Sequence, residues 1–185
     1  MNGPRRRVLA LIGTGTAVLS AGLSAGLAGI NTSPSLPMGL YRTTANSADS
    51  LIEFCPPRQY DQNSASRGYR ATGVCEDGGA PLLKPVIARA GDVVEVSKAG
   101  IAVNGNVLPQ TVPRTVDSKG RTLGTWPVGH YVVAAGTMWV ASSYNDYSYA
   151  SRYFGPVPAA AILHHLRPLC TLYSYEAGVR FSRSR

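Results

Sequence analysis

Two hydroxyls, Ser33 and Ser35, stand two residues apart in the stretch Asn31-Thr-Ser-Pro-Ser-Leu-Pro-Met-Gly-Leu-Tyr41. One lysine, Lys84, lies in the apolar run Pro81-Leu-Leu-Lys-Pro-Val-Ile87 with no acid beside it. These are residue types from which a nucleophile and its base can be made. A serine hydroxyl attacks poorly until a base takes its proton, and a lysine is such a base only when neutral. At the ordinary lysine pKa, about one side chain in two thousand is neutral at pH 7. Apolar surroundings lower that pKa, and reaching about 8 would disfavour the charged form by roughly 3 kcal/mol. Taken alone, each residue has a plainer reading: Ser35 as a linker hydroxyl, Lys84 as a strand lysine facing water.

The other reactive side chains offer less. His164 and His165 are adjacent in an apolar stretch with no nucleophile-elbow motif nearby, which argues against a Ser–His–Asp arrangement. The three cysteines form no Cys-x-x-Cys pair and their spacing to histidine fits no zinc site, so neither a metal nor a cofactor is expected. If the domain is exported, Cys55 and Cys75 are the expected disulfide, with Cys170 buried and free; three unpaired core cysteines are the alternative. Closing a loop of this size stabilises by about 3 kcal/mol.

The elements that must position these residues read as strands and turns. Leu82 to Ala88 has strand character and carries Lys84; Val93 to Val96 is a second strand. Gly100 to Leu108 reads as a hairpin with Asn104-Gly105 as a type I′ turn. His130 to Ala134 and Met138 to Ala141 suggest two further strands; Pro109 to Pro127 reads as an excursion, Ser142 to Pro158 as a loop-rich segment, and Ala159 to Leu166 as a short helix or strand. The two prolines at 34 and 37 oppose a continuous helix and favour an extended Ser33-to-Ser35 segment. The soluble part is therefore expected to be one mainly-β domain.

Ahead of it, Val8 to Ile30 is a run of twenty-three residues without a charge, preceded by Arg5 to Arg7. As a helix it would span roughly 34 Å, enough to cross a bilayer core, and the arginines predict a cytoplasmic N-terminus with an exported C-terminal domain. The rival reading is a cleaved signal peptide with Ala25 to Ala28 as its cleavage region. The organisation expected is residues 1–7 cytoplasmic, 8–30 a transmembrane anchor and 31–185 a periplasmic domain. Of the net charge of +8, three charges are Arg5 to Arg7 and the basic residues of the rest are scattered apart from the tail Arg180 to Arg185, which opposes nucleic-acid binding and favours contact with anionic lipid. The tyrosines Tyr144, Tyr147, Tyr149 and Tyr153 suit either the membrane–water boundary or packing around a site.

Three stretches, in order, carry a resemblance. Asn31 to Tyr41 resembles the nucleophile box of the conjugative-transfer peptidases of the TraF type, a branch of the type I signal peptidase family. Lys84-Pro-Val-Ile-Ala-Arg-Ala-Gly-Asp92 is similar to the lysine box, and Ser148-Tyr-Ala-Ser-Arg-Tyr-Phe-Gly-Pro-Val-Pro158 to the Asp-Ser-Arg-Tyr-x-Gly-x-Val-Pro signature. Cys55-Pro-Pro57 and Gly73-Val-Cys75 also look like this branch. The resemblance implies a signal-peptidase-like Ser–Lys protease domain behind one transmembrane helix, held in the bacterial inner membrane. It implies Ser35 as nucleophile, Lys84 as general base, the Ser35 N–H and the Ser33 hydroxyl as oxyanion donors, Ser148 as the serine that orients the lysine, and Arg152 as structural support. Asp92 is a turn-former. The chain departs from the pattern at Ala150, where the family has aspartate; the nearest carboxylate is Asp146. The implied substrate is an exported pilin precursor or similar secretion-system subunit, lying as an added strand and cut after small residues, with cyclisation of the product left open. A general signal peptidase, a non-catalytic pilus assembly factor and a LexA-like self-cleaving protein are the rivals.

Overall fold

The computed structural model describes residues 28–48, 51–58 and 64–173. The arginines at 5 to 7, the apolar run as far as residue 27 and the basic tail from 180 to 185 lie outside the described residues.

Strands dominate. In chain order they are β1 (Ala28–Asn31), β2 (Gly39–Thr44), β3 (Leu51–Phe54), β4 (Leu82–Arg89), β5 (Val93–Ser97), β6 (Gly100–Val103), β7 (Asn106–Val107), β8 (Gly129–Val132), β9 (Thr137–Val140), β10 (Val157–Pro158) and β11 (Ile162–Thr171). A one-turn helix, α1 (Ser151–Phe154), and a 3-10 turn, Ala159–Ala161, interrupt them. A seven-stranded sheet has the order β1-β2-β11-β3-β4-β9-β10, and a four-stranded sheet the order β7-β6-β5-β8. All ladders are antiparallel. The expected Asn104-Gly105 hairpin is present, with both residues at positive φ (49° and 80°), as a type I′ turn requires. The segment from 109 to 127 contributes no strand, only an isolated bridge between Val116 and Thr122.

Alternation along β9 explains how the sheets meet. Trp139 points into a cluster with Val94, Val96, Ile101 and Val103 of the small sheet, while Met138 and Val140 point the other way, among Ile52, Phe54, Phe154 and Val157. A strand buried on both faces is a rigid support, and β9 pairs with β4, which carries Lys84. A third cluster, Leu36, Tyr41, Leu51 and Leu166, lies beneath the loop that carries Ser35. Burying a side chain of this kind stabilises by about 1.5–3 kcal/mol, so each reactive residue is anchored next to a packed apolar cluster.

Three expectations are corrected. Ala28 to Ile30, read as the end of an apolar helix, belong to β1, which pairs with β2 (Gly29 opposite Tyr41, Ile30 opposite Leu40); backbone pairing outweighs the helical reading of an uncharged run. The segment at Ser33 to Ser35 is a turn, with the Leu36 N–H directed at the Ser33 carbonyl (3.5 Å), because Pro34 suits the second position of a β-turn. Cys170 is free but exposed, on β11 opposite Leu40; an irregularity in the pairing between Pro168 and Cys170 accompanies that placement. Gly39, in the first box, shows why glycine stands there: a Cβ would come within 2.2 Å of the Cys170 carbonyl oxygen across the β2–β11 ladder. Among the described residues no helix is long and apolar enough to cross a membrane.

Candidate active site

The turn that carries Ser35 is tied by the residues that flank it. The Asn31 side-chain amide donates to the carbonyls of Ser33 (3.0 Å), Leu36 (3.3 Å) and Pro37 (3.2 Å), and its oxygen accepts the Ser33 N–H (3.1 Å). The Tyr41 hydroxyl donates to the Pro37 carbonyl at 2.6 Å. Ser35 is thereby drawn inward, to 9% exposure, with its N–H donating to Ser33 Oγ at 3.3 Å. On its other side the Ser142 hydroxyl donates to the Ser35 carbonyl.

Lys84 sits on β4 opposite Ile52 and is buried. Its Nζ donates to Ser148 Oγ at 2.8 Å. Burial first, and then the positive charge of Arg152, lower its pKa from 10.5 to about 7. A lysine so placed is substantially neutral at physiological pH and has a lone pair to offer a proton.

Arg152, in α1, is also buried; its two terminal guanidinium nitrogens meet acceptors, while its Nε has none. It donates to the carbonyls of Gln110 (2.6 Å), Ser148 (2.8 Å) and Asp146. Asp146 thus serves Arg152 through its main chain. Its carboxylate turns away and pairs with Arg114 (3.0 Å), whose guanidinium also lies 3.7 Å from the centre of the Tyr147 ring. The Asp146 carboxylate is therefore turned away from Arg152, and Ala150 is fully buried in the cluster around Trp139. Gly155 of the same box allows the Trp126 ring to pack on the backbone, since a Cβ there would come within 2.5 Å of the ring.

Ser35 and Lys84 line one groove of about 320 Å³, together with Ser33, Tyr69, Leu82 and Arg114. A second groove, about 330 Å³, shares Ser33, Tyr69, Leu82 and Lys84 and runs between residues 29–33 and 80–84. Two loops roof the first groove. Tyr69 donates to the Asp117 carboxylate (2.6 Å), which also takes Arg121 Nε (2.7 Å), and Arg67 donates to the Thr122 carbonyl (2.6 Å). The Tyr69 hydroxyl, followed by the Arg121 and Lys119 N–H groups, holds Asp117 well below the usual carboxylate range. The loop bearing Tyr69 is closed by a Cys55–Cys75 disulfide, with Cα atoms 5.6 Å apart. Within it Arg70 binds Ser64 (2.7 Å), the Ala80 carbonyl (2.9 Å) and Asp77.

The residues singled out in the sequence thus fall into three places. Ser33, Ser35 and Lys84 share a groove, Ser148 and Arg152 stand behind the lysine, and the Asp146 carboxylate faces Arg114 instead. His164 pairs with Glu53 (2.7 Å) at an exposed position, and neither His164 nor His165 lines either groove. Asp92 closes its turn by accepting the Arg89 N–H (2.8 Å). Tyr149 stacks on Tyr153 (ring centres 5.3 Å apart) and both line the first groove, the packing alternative of the two readings. Among the described residues no His, Cys, Asp and Glu cluster could hold a metal. Sequence reasoning missed the roof pair Tyr69–Asp117, the holding role of Asn31 and the contact of Ser142. For Asn31 a signal existed, an asparagine just ahead of a Ser-Pro turn; for Ser142 there was none.

Comparison with known proteins gives the site a setting. A plasmid transfer protein TraF of Escherichia coli is 36% identical over 165 residues, covering 86% of this chain and 93% of its own. A conjugal transfer protein TraF of Agrobacterium fabrum is 35% identical over 176 residues, 90% of this chain and 97% of its own. A probable conjugal transfer protein TraF of Sinorhizobium fredii is 39% identical over 139 residues, 72% of each. The family model for signal peptidase, peptidase S26, matches residues 8–168, so this chain belongs to that peptidase family.

Proposed function

We propose that the chain is a serine endopeptidase in which neutral Lys84 takes the Ser35 proton. The single observation that carries this reading is a buried lysine, its amine met by one hydroxyl, lining the same groove as Ser35. Ser35 Oγ attacks the scissile carbonyl as its proton passes to Lys84 Nζ. The resulting ammonium gives that proton to the leaving amine, and the acyl-enzyme is resolved by water or by a second amine. The oxyanion is held by the Ser35 N–H and the Ser33 hydroxyl. At rest the first donates to the oxygen of the second, so the substrate oxygen takes over an existing donor. Removing one such donor costs about 3 kcal/mol of transition-state stabilisation. Ser148 orients the lysine, and Arg152 supports the loop that carries Ser148.

The substrate proposed is an exported precursor, in particular a pilin or similar subunit of a conjugative type IV secretion system. The names of the relatives support the conjugative setting, and the second groove, open between residues 29–33 and 80–84, supports an added-strand binding mode. The run from Val8 to residue 27, joined directly to β1, is proposed as a single membrane anchor with its basic end in the cytoplasm and the peptidase domain in the periplasm. An amine supplied by the substrate itself would release a cyclic product.

The test is incubation of a pilin precursor with the full-length protein, read by intact mass. Cleavage by the wild type, with a loss of at least about 10³-fold in Ser35→Ala and Lys84→Ala, is the expected result. A mass lower by one water than the linear product reports cyclisation. Equal cleavage by both variants would sink the dyad, and folded protein without activity on any precursor would favour an assembly factor.

A further inference from the structure

We infer that Ser142 is a positioning residue for the nucleophile, acting through the backbone of Ser35. This rests on the reading of Ser35 given above. Ser142 is 1% exposed, two residues beyond β9, and its hydroxyl donates to the Ser35 carbonyl. The hydroxyl oxygen in turn accepts the Tyr144 N–H at 3.1 Å, which fixes the direction in which its proton points. The partners lie 107 residues apart in the chain, and the bond is buried.

Its geometry gives the bond a purpose. The peptide group before the Ser35 Cα is tied by its N–H to Ser33 Oγ, and the peptide group after it is tied by its carbonyl to Ser142. With both peptide planes held, φ and ψ of Ser35 are set, and with them the direction of its Cα–Cβ bond. Ser142 is also joined to the lysine side of the groove. The neighbouring Ala141 N–H donates to the Pro85 carbonyl at 3.2 Å, one residue past Lys84. Six residues on, Ser148 takes the Lys84 amine at 2.8 Å, and Arg152 gathers the carbonyls of Asp146 and Ser148. One loop, from 142 to 148, therefore grips the main chain of the nucleophile at one end and the side chain of the base at the other. It sets the distance between them as a caliper would. The Lys84 amine bonds Ser148 and the Ser142 hydroxyl bonds Ser35, so removal of the Ser142 hydroxyl should misalign the serine while leaving the lysine titration as it is.

The experiment compares wild type, Ser142→Ala and Ser35→Ala as full-length proteins on the same pilin precursor across a pH series. Amide exchange is followed in peptides covering 31–41 and 82–89. Expected for Ser142→Ala is a kcat about 10- to 100-fold lower, KM within about twofold and an unmoved acid limb of the pH profile. Exchange should be faster in 31–41 and unchanged in 82–89. A kcat within about twofold of wild type overturns the inference while leaving the dyad intact. A loss accompanied by a shifted acid limb, or by faster exchange in 82–89, overturns it in favour of general structural support. No cleavage by the wild type, or cleavage by Ser35→Ala, sinks the nucleophile reading and this inference with it.

Discussion

Lys84 and Arg152 are both basic side chains withdrawn from water, at 3% and 1% exposure, yet their surroundings treat charge in opposite ways. Arg152 is met by three backbone carbonyls, which suit the fixed fork of a guanidinium. Lys84 is met by one hydroxyl. An ammonium has three donors and Ser148 takes one of them, so the cheaper solution is to release the proton. The positive charge of Arg152 pushes the same way. Burial acts differently on the two groups: it lowers the pKa of the amine, whereas a guanidinium stays charged in proteins, here with its Nε left without a hydrogen-bond partner. One pocket keeps a cation for structure, and that cation helps the other pocket keep a neutral amine.

The largest effect expected from disturbing this contrast comes from removing the lysine. Between pH 7 and 10.5 the unfolded chain holds a proton at Lys84 that the folded chain does not, so stability rises with pH through that window and the full cost of burial is present below it. Lys84→Met should therefore be more stable than wild type at pH 6, by about 3 to 5 kcal/mol, with the margin shrinking as pH approaches 10.5. Denaturant melts at several pH values check this, and a gain that does not depend on pH would mean that the lysine is not held neutral. A smaller effect is expected from Arg152→Gln, which keeps some donors but loses the charge. It should cost about 2–3 kcal/mol through carbonyls left unsatisfied and raise the Lys84 titration, read as an upward shift of the acid limb of the pH–activity profile. The smallest effect is expected at Asp146. Its carboxylate joins a half-exposed pair with Arg114 while its main chain serves Arg152, so Asp146→Ala should cost less than about 1 kcal/mol. A much larger loss would restore that carboxylate to the site.

How far the site could be read in advance follows from the range of its interactions. The β6–β7 turn is local, and Asn-Gly between apolar runs specifies it. Lys84 is flanked by apolar neighbours within three residues, so its burial has a local signature too. By contrast, the turn at Pro34 depends on the amide of Asn31 and on the hydroxyl of Tyr41, which reach across the box rather than along a strand; an extended reading of Ser33 to Ser35 was the natural error. β1 was hidden inside an uncharged run, because pairing with β2 leaves no mark on the composition of that run. The exposure of Cys170 depends on which face β11 turns outward, and a single irregularity between Pro168 and Cys170 separates the two outcomes. Ser142 and the Tyr69–Asp117 contact join segments 107 and 48 residues apart, and no periodicity or spacing encodes such a meeting.

The separation of 64 residues between Lys84 and the hydroxyl that receives it has a consequence in time. A chain made from its N-terminus presents Ser35 and Lys84 long before residues 142–152 exist. Until then the Ser148 hydroxyl and the Arg152 charge that act on the lysine are absent. The loop that grips both partners, and the arginine that helps keep the amine uncharged, come from the last quarter of the chain. Under the proposed mechanism, a half-finished molecule has no active base, and neighbouring polypeptides in transit are safe from it. On that reading, chemistry waits until the whole domain has closed.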